Sequence, residues 1–379
     1  MNLFLMSFFL IYGGIHSYVF LKIWQAFSLK RPTGICISLI FLIMIFAPII
    51  VRLFEKGGHD SLARFTAYSG YTWMGVIFLF VSISIVLDSL RFLLFFIGFL
   101  LTMDFSALTS AYRFFFIVAF VGANLISFFG YMEANNPRLE TIRIFTNKIP
   151  KETGKVTIAQ ISDVHVGLIV REERLKSIAK LVKAVNPDVL VSTGDLLDGD
   201  INSLNGLAGI LKEIQPQYGK FAVTGNHEFY AGIKNSLVFT KQAGFTMLRG
   251  EGITVRGIIN IAGVDDKAGK LFGYQDISER TLLSKFPDQL FTIFLKHRPI
   301  LDKDAQGLFD LQLSGHTHKG QIYPFRYMTQ FFFPLYAGYY PLVNNAHLYV
   351  SRGSGTWGPP IRFLAPPEVT IIELVYTPQ

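Results

Sequence analysis

The chain of 379 residues is longer than one typical domain; 51% of its residues are hydrophobic, 16% are charged, and its formal net charge is +8. The one cysteine, Cys36, excludes a disulfide framework. The positive charge is spread along the chain and forms no basic stripe interleaved with aromatic residues. We therefore expect affinity for an anionic membrane surface or an anionic substrate, and no nucleic-acid partner.

The first 133 residues contain four apolar segments, each long enough to cross the roughly 30 Å hydrocarbon core of a bilayer as a helix. These segments are residues 3–21, 35–51, 71–87 and 114–132. The shorter apolar stretch 92–103 fits a fifth span, a re-entrant piece or an interfacial helix, so the pattern predicts four or five spans. A cleavable signal peptide is disfavoured because the first segment lacks a basic leading region and a small-residue cleavage site.

The orientation of the spans depends on the charges beside them, because cytoplasmic loops are enriched in lysine and arginine. The first two loops carry similar numbers of basic residues and nearly cancel. A basic cluster follows the last span, at Arg138, Arg143, Lys148, Lys151 and Lys155. This cluster favours a cytoplasmic location for the rest of the chain. We predict a transmembrane region at 1–133, a linker at 134–154 and a globular domain at 155–379.

In the globular domain, short apolar runs alternate with segments of helical periodicity. Strands are predicted at 155–162, 188–192, 220–224, 258–264, 291–295, 311–313, 347–351 and 369–375, and helices at 171–185 and 204–214. Alternating strands and helices predict an α/β fold. The aromatic segment 323–340 contains two prolines and is predicted to be irregular rather than helical. Part of it is expected in the core, and part as an exposed patch at the membrane interface.

Five polar motifs come directly after predicted strands, at the edge of a sheet where ligand sites gather. They are Asp163-Val164-His165, Gly194-Asp195, Gly225-Asn226-His227-Glu228, His297 and Gly315-His316-Thr317-His318. In extended backbone, side chains two positions apart point to the same side. Carboxylates, imidazoles and one amide suit Mn²⁺, iron or Zn²⁺. Two such ions about 3.5–4 Å apart can activate a water and neutralise phosphoryl oxygens, which predicts hydrolysis of a phosphate ester.

In their order and spacing, these motifs resemble those of the calcineurin-like metallophosphoesterase superfamily, and most closely its membrane-attached bacterial members. The resemblance covers roughly residues 155–375, including Val350-Ser351-Arg352-Gly353 and Glu368. It implies a four-layer α/β (α+β) sandwich of two mixed sheets flanked by helices, preceded here by the all-α transmembrane region. It also implies the inner membrane of a bacterium, and the basic cluster after the last span favours the cytoplasmic side of that membrane for the catalytic domain.

The resemblance further implies a cofactor of two divalent ions and leaves open whether they are Mn, Fe or Zn. One ion would be held by Asp163, His165 and His318. The other would be held by Asn226, His297 and His316, and Asp195 would bridge the two. The catalytic residues would be His227, Asn226 and Glu228, with His227 as the general acid and Glu228 orienting it. Lys319 departs from the family pattern and is a candidate contact for an anionic substrate.

Three functions fit the sequence. The first is an integral-membrane phosphoesterase that hydrolyses a phosphodiester or pyrophosphate bond of a lipid-linked substrate such as UDP-diacylglucosamine, with membrane lipids as partners and a role in lipid metabolism. The second is a phosphatase or phosphodiesterase for soluble nucleotides or phosphoproteins, whose metal site would be identical. The third is a non-catalytic membrane sensor, which is disfavoured because every expected ligand position is filled.

Overall fold

The computed structural model describes residues 2–199, 204 and 206–378. The chain divides into two compact units. One unit contains residues 1–132 and 358–361, and the other contains residues 133–357 and 362–379. The two units differ in kind, since the first is helical and apolar and the second contains all the strands that the structure describes.

The first unit is built from long helices. They are α1 (Asn2–Phe27), α2 (Arg31–Lys56), α3 (Asp60–Leu101), the short α4 (Ser106–Thr109) and α5 (Tyr112–Ala134). Among the described residues, α1, α2, α3 and α5 are long and apolar enough to cross a membrane. Of the predicted four or five spans, the described residues contain four candidate helices.

The apolar stretch 92–103 is not a separate span, because α3 runs through it for 42 residues. Asp88, in the middle of this helix, would interrupt an apolar span if its carboxylate had no partner. Its carboxylate instead accepts hydrogen bonds from Lys22 Nζ at 2.5 Å and Tyr18 Oη at 2.7 Å. The pairing compensates the charge within the helical unit, so the helix continues past it.

The second unit alternates strands and short helices. Its strands are β1 (Arg138–Thr146), β2 (Lys155–Ile161), β3 (Val166–Gly167), β4 (Val189–Ser192), β5 (Leu197–Asp198), β6 (Lys220–Ala222), β7 (Thr246–Met247), β8 (Glu251–Val255), β9 (Ile259–Gly263), β10 (Phe291–Leu295), β11 (Leu311–Ser314), β12 (Gly338–Pro341), β13 (His347–Val350) and β14 (Glu368–Tyr376). Its α-helices are α6 (Glu172–Val185), α7 (Leu207–Lys212), α8 (Asn226–Tyr230), α9 (Ile233–Gln242), α10 (Glu279–Leu283) and α11 (Arg326–Phe332).

The strands form two six-stranded mixed sheets and a small two-stranded sheet. The first sheet has the order β1-β14-β2-β4-β6-β7, and the second has the order β12-β13-β11-β10-β9-β8. Within them, β2, β4, β6 and β7 are parallel, as are β13, β11, β10 and β9. The carboxyl ends of the parallel strands therefore meet at one edge of each sheet. The predicted α/β fold with two mixed sheets is confirmed.

One apolar core joins the two sheets. Ile158 and Val191 of the first sheet belong to the same buried cluster as Ile261, Ile293 and Leu313 of the second. Every residue along β4, β9 and β10 is buried, and most are apolar, as expected of parallel strands covered on both faces. The core holds both sheets in place, and with them the loops at their carboxyl edges.

Two segments differ from the sequence prediction. The predicted linker at 134–154 contains β1, which pairs in parallel with β14 over nine residues; its half-exposed position at a sheet edge gave it no clear apolar run. The aromatic segment 323–340 contains the seven-residue helix α11, although it was predicted to be irregular. Its proline at position 324 lies before the helix, where it does not interrupt helical hydrogen bonds.

Candidate dinuclear metal centre

All five predicted motifs come together at the carboxyl edges of the two sheets. Asp163 and His165 follow β2, Asp195 follows β4, and Asn226 begins α8 after β6. His297 follows β10, and the motif of His316 and His318 follows β11. The structure thus brings each predicted site residue to the place that strand order implies.

The backbone is strained at the candidate ligands. Asp163, His165, Asp195, His316 and His318 all have positive φ, between 48° and 72°. Non-glycine residues rarely adopt this conformation, although aspartate and histidine do so more readily than most. Clusters of such residues are typical of sites where the fold holds side chains for function.

The first cluster contains Asp163, His165 and His318, whose ligand atoms lie within 4.8 Å of one another. The Nε2 atoms of His165 and His318 are 3.1 Å apart, and His318 Nε2 is 3.4 Å from Asp163 Oδ1. The Asp163 carboxylate accepts hydrogen bonds from the Ser162 hydroxyl at 2.5 Å and from the His316 backbone N–H at 2.9 Å. These bonds fix the orientation of the carboxylate.

The second cluster contains Asp195, His297 and His316, again within 4.8 Å. His297 Nε2 lies 3.2 Å from Asp195 Oδ2 and 3.1 Å from His316 Nδ1. The opposite ring nitrogen of His297 is 2.8 Å from the carbonyl oxygen of Thr193, to which it donates. That hydrogen bond leaves Nε2 of His297 with a lone pair directed into the cluster.

Asp195 connects the two clusters. Its Oδ2 lies 3.2 Å from His297 in the second cluster and 3.8 Å from His165 Nε2 in the first. Its other oxygen, Oδ1, accepts a hydrogen bond from the His227 backbone N–H at 2.8 Å. One carboxylate oxygen is thus placed between two sets of donors, as a bridging ligand requires.

The residues fit a pair of divalent cations on two further grounds. Asn226 is buried, and its Oδ1 accepts no hydrogen bond from any described residue. A bound cation would satisfy this oxygen in place of a hydrogen-bond donor. Burial raises the pKa of the fully buried Asp163 carboxyl, so keeping it ionised requires nearby positive charge. Two cations among these oxygen and nitrogen donors would supply that charge.

His227 lies beside both clusters and is held by a residue that the sequence prediction missed. Its Nδ1 is 2.8 Å from Asp198 Oδ1. Burial alone would lower the pKa of His227, but the carboxylates of Asp195 and Asp198 outweigh it and raise the pKa to about 9. Asp198 comes three positions after Asp195, and that spacing of two carboxylates was the available signal.

Glu228, predicted to orient His227, accepts hydrogen bonds from several backbone N–H groups. Its carboxylate accepts hydrogen bonds from the backbone N–H groups of Gly225 at 2.6 Å, Leu196 at 2.7 Å and Asp195 at 2.9 Å. Glu228 thereby ties the loop after β4 to the start of α8. The His227 ring itself is contacted by Asp198, through Nδ1.

A second residue that was not predicted is Arg362, a fully buried arginine. Its Nη1 donates to the carbonyl oxygens of Arg352 at 2.7 Å and His318 at 3.1 Å, and its Nη2 lies 2.9 Å from His318 Nδ1. Arg362 thus joins the loop that starts at Arg352 to the ring of a candidate ligand. No local sequence pattern marks its contact with His318, which lies 44 positions earlier in the chain.

Arg352, at the start of the loop 352–357, is paired with two carboxylates and is not free to contact a phosphate. Its Nε lies 2.5 Å from Glu368 Oε2, and its Nη2 contacts Glu140. The loop ends with Trp357, whose ring centroid is 6.1 Å from that of His227. Lys319 is half-buried, and burial beside Arg352 and Arg326 lowers its pKa. This residue directly follows His318 in the chain.

The fold and this site define a metal-dependent hydrolase of phosphate esters. Residues 156–320 match the family described as calcineurin-like phosphoesterase. A metallophosphoesterase of Aquifex aeolicus is 39% identical over 254 residues, which cover 66% of this chain and 97% of that protein. The chain belongs to the calcineurin-like phosphoesterases, which use a centre of two divalent metal ions.

Two further comparisons differ in strength. A bovine protein named transmembrane protein with metallophosphoesterase domain is 29% identical over 262 residues, covering 65% of this chain and 59% of that protein. This chain therefore spans less than two thirds of that relative. Among solved structures, NAD nucleotidase of Haemophilus influenzae superposes with a TM-score of 0.39 and 17% identity, covering 53% of this chain and 51% of that one. The bovine relative indicates a membrane-associated family.

Proposed function

We propose that this protein is an integral-membrane phosphoesterase that hydrolyses a phosphodiester or pyrophosphate bond of a lipid-linked substrate, such as UDP-diacylglucosamine. The observation that carries the proposal is the placement of the Asp198–His227 pair beside two clusters that Asp195 connects. The four apolar helices support a lipid-linked substrate, because an enzyme held in a bilayer meets membrane-borne molecules at high effective concentration.

In this proposal one ion is held by Asp163, His165 and His318. The other is held by Asn226, His297 and His316, and Asp195 bridges the two. When bound, the two ions supply an activated water and positive charge for the phosphoryl oxygens. The donor set suits Mn²⁺, iron or Zn²⁺, and Mn²⁺ is the first ion to test.

His227 acts as the general acid that protonates the leaving oxygen. The hydrogen bond from Nδ1 to Asp198 leaves Nε2 as the ring atom that can give up its proton. Asp198 is a positioning residue, since it fixes the ring and stabilises its protonated form. Lys319 is proposed to stabilise the negative charge of the substrate from the side of His318.

We also propose that the membrane is the inner membrane of a bacterium and that the second unit lies in the cytoplasm. Four crossings would return the chain to the side on which α1 begins. Lysines and arginines concentrate after α5, which favours the cytoplasm for that side. To test this orientation, single cysteines are placed in β1 and in the loop between α1 and α2, and intact cells are treated with an impermeant thiol reagent. Labelling of the β1 cysteine would contradict the proposed orientation.

The first experiment uses the purified chain in detergent with Asp195→Asn and His227→Ala variants. Elemental analysis gives bound metal, and bis(p-nitrophenyl) phosphate reports Mn²⁺-dependent hydrolysis. We expect metal and activity in the parent protein, loss of metal in Asp195→Asn, and retained metal with reduced activity in His227→Ala. If the protein binds no metal and shows no turnover with any of several divalent ions, the result would contradict a hydrolase and favour a sensor.

The substrate class needs a second measurement. UDP-diacylglucosamine in mixed micelles is compared with soluble nucleotides and a phosphopeptide, each as a measurement of kcat/KM in the same preparation. Preference for the lipid-linked pyrophosphate supports the proposal. Efficient turnover of a nucleotide or phosphopeptide, with no gain from a lipid chain, would replace it by the soluble-substrate alternative.

A further inference from the structure

The helix α11 exposes a continuous apolar surface. None of its seven residues is buried. Tyr327 is 53% exposed, Met328 53%, Phe331 79% and Phe332 65%. Tyr327 and Phe331 are four positions apart, as are Met328 and Phe332, so they lie on neighbouring strips of one helix face. We call these four residues the α11 surface. Exposed apolar patches of this kind mark sites of interaction.

The α11 surface is attached to the metal centre. Phe333, the residue after α11, places its ring edge against the ring of His316, with centroids 5.0 Å apart. The hydroxyl of Thr317 donates to the carbonyl oxygen of Tyr336 at 2.5 Å. The segment that carries the surface is therefore fixed at its far end to the loop of two candidate ligands.

The beginning of α11 is fixed to the same loop. Gly320 has a φ of +76°, and a side chain there would overlap the backbone of Arg326, the first residue of α11. Only glycine allows this close approach without displacing the helix. Because both ends of α11 rest against the His316–Gly320 region, the surface has a defined position next to the candidate metal centre.

Basic and aromatic side chains border the surface. The Arg326 guanidinium lies over the rings of Tyr323 and Tyr327, 5.0 Å and 4.9 Å from their centroids. Lys319 lies close enough to Arg326 for the two charges to repel. Apolar residues bordered by arginine, lysine and tyrosine are typical of segments that lie in the interface of a bilayer with anionic lipids.

The occupant that fits this surface is a lipid bilayer. The same chain contains four helices suited to cross one. Only residues 135–137 separate α5 from β1, which limits the reach of the second unit by covalent geometry. A second copy of the chain would not require the basic border, whereas an anionic lipid surface complements it.

We propose that the α11 surface docks in the interfacial layer of the membrane that holds α1–α5, and that it admits a lipid-borne phosphate ester to the metal centre. This inference rests on the proposed phosphoesterase function. It assigns the delivery of the lipid to named side chains that make no contact with the reacting atoms. The lipid substrate would slide from the bilayer past Phe331 and Phe332 to the side of His316.

The test compares two esters with the same p-nitrophenyl leaving group in vesicles of phosphatidylcholine and phosphatidylglycerol that contain the full-length protein. One is soluble bis(p-nitrophenyl) phosphate, and the other is p-nitrophenyl hexadecyl phosphate, which partitions into the bilayer. For the double variant Phe331→Ser/Phe332→Ser we expect kcat/KM to fall about tenfold with the hexadecyl ester, mainly through KM, and to change less than about twofold with the soluble ester.

Leu271→Ser is the matched control, because Leu271 is an equally exposed apolar residue on another element, at 80%. It should leave both esters unaffected. Equal losses on both esters in the double variant, or no loss on either, would overturn the docking role. Absence of hydrolysis of either ester by the parent protein would instead refute the phosphoesterase function.

A direct measurement of depth completes the test. Cys36 is the one cysteine of the chain, so Cys36→Ser gives a background for labelling. A fluorophore on Phe331→Cys should be quenched by brominated lipids, whereas the same fluorophore on Leu271→Cys should not. Equal quenching at both positions would contradict docking through α11. A change from monomer to dimer governed by the α11 surface would point to a second copy as its occupant.

Discussion

The Nδ1 atom of His227 lies 2.8 Å from Oδ1 of Asp198. His227 is in α8, which follows β6, and Asp198 is in β5, which follows β4. Asp195, three positions before Asp198, accepts the backbone N–H of His227. The candidate general acid is thus held by its ring and by its backbone from one short segment, 195–198, that also contains the candidate bridging ligand. Proton donation and metal binding are joined in a single structural unit.

We expect Asp198→Asn to shift the pH profile. Asp195 and Asp198 raise the pKa of His227, and a general acid is active only while protonated, so activity falls as pH rises through that pKa. Loss of one carboxylate lowers the pKa. The alkaline limb of kcat/KM should therefore move to lower pH in the metal-loaded variant. An unchanged limb would show that Asp198 has only a structural role.

The loss of activity caused by His227→Ala should depend on the leaving group of the substrate. An alkyl alkoxide needs a proton, whereas p-nitrophenolate leaves readily without one. We expect a loss of about 10²–10⁴-fold with a methyl ester and a smaller loss with the p-nitrophenyl ester. Parallel kinetics with the two esters measure the difference. Equal losses would indicate that His227 contributes binding or metal retention rather than a proton.

Glu228→Ala should destabilise the second unit. It leaves several buried backbone N–H groups without an acceptor, at a cost of about 3 kcal/mol. For a unit of this size the melting temperature should fall by roughly 6–12 °C. The matched control is Glu213→Ala, which removes an exposed partner of Lys183 and should shift melting by about 2 °C or less. Similar shifts in both variants would contradict this role of Glu228.

Gly315→Ala should disrupt the first cluster of ligands. A side chain at Gly315 would overlap the Ser162 hydroxyl and the Asp163 carboxylate. We expect loss of bound metal, measured by elemental analysis, and loss of activity. Gly209→Ala is the control, since nothing lies within 4 Å of its added carbon and it falls within α7. That variant should keep its metal and gain a little stability.

Chelation of the metals should lower the melting temperature. Asp163 and Asp195 are buried, and divalent ions offset their charge. A ligand present at about 100 times its Kd stabilises the native state by about 2.7 kcal/mol. EDTA should remove this stabilisation and Mn²⁺ should restore it, as seen by thermal melting in detergent. In Asp195→Asn the response to both reagents should be much smaller; an equal response would argue against Asp195 as a ligand.

The site was predictable from the sequence where its residues follow apolar strands. Asp163, His165 and His297 lie at the strand ends where the apolar runs placed them. Arg362 was not predictable, because its partners become neighbours only when the loops after β11 and β13 meet. The contacts of Glu228 with Asp195 and Leu196 were not predictable for a similar reason, since tertiary folding brings the loop after β4 to it.

The membrane region and β1 also show which features the sequence predicts and which depend on contacts between distant residues. Apolar length alone identified the candidate spans, but it could not show that α3 continues through Asp88, whose partners Tyr18 and Lys22 lie in another helix. The strand β1 was missed because its burial is partial and its partner strand is remote. Both errors concern contacts between distant parts of the chain, which hydrophobic pattern does not encode.

The position of β14 between β1 and β2 has a consequence for biosynthesis. Arg138 pairs with Glu368, 230 positions later in the chain. A nascent chain can therefore form its apolar helices while β1 still has no neighbour. The first sheet closes only after β14 has left the ribosome, so β1 and the edge of β2 remain open throughout synthesis of the second unit. Chains that stop before β14 would present these edges to chaperones and proteases.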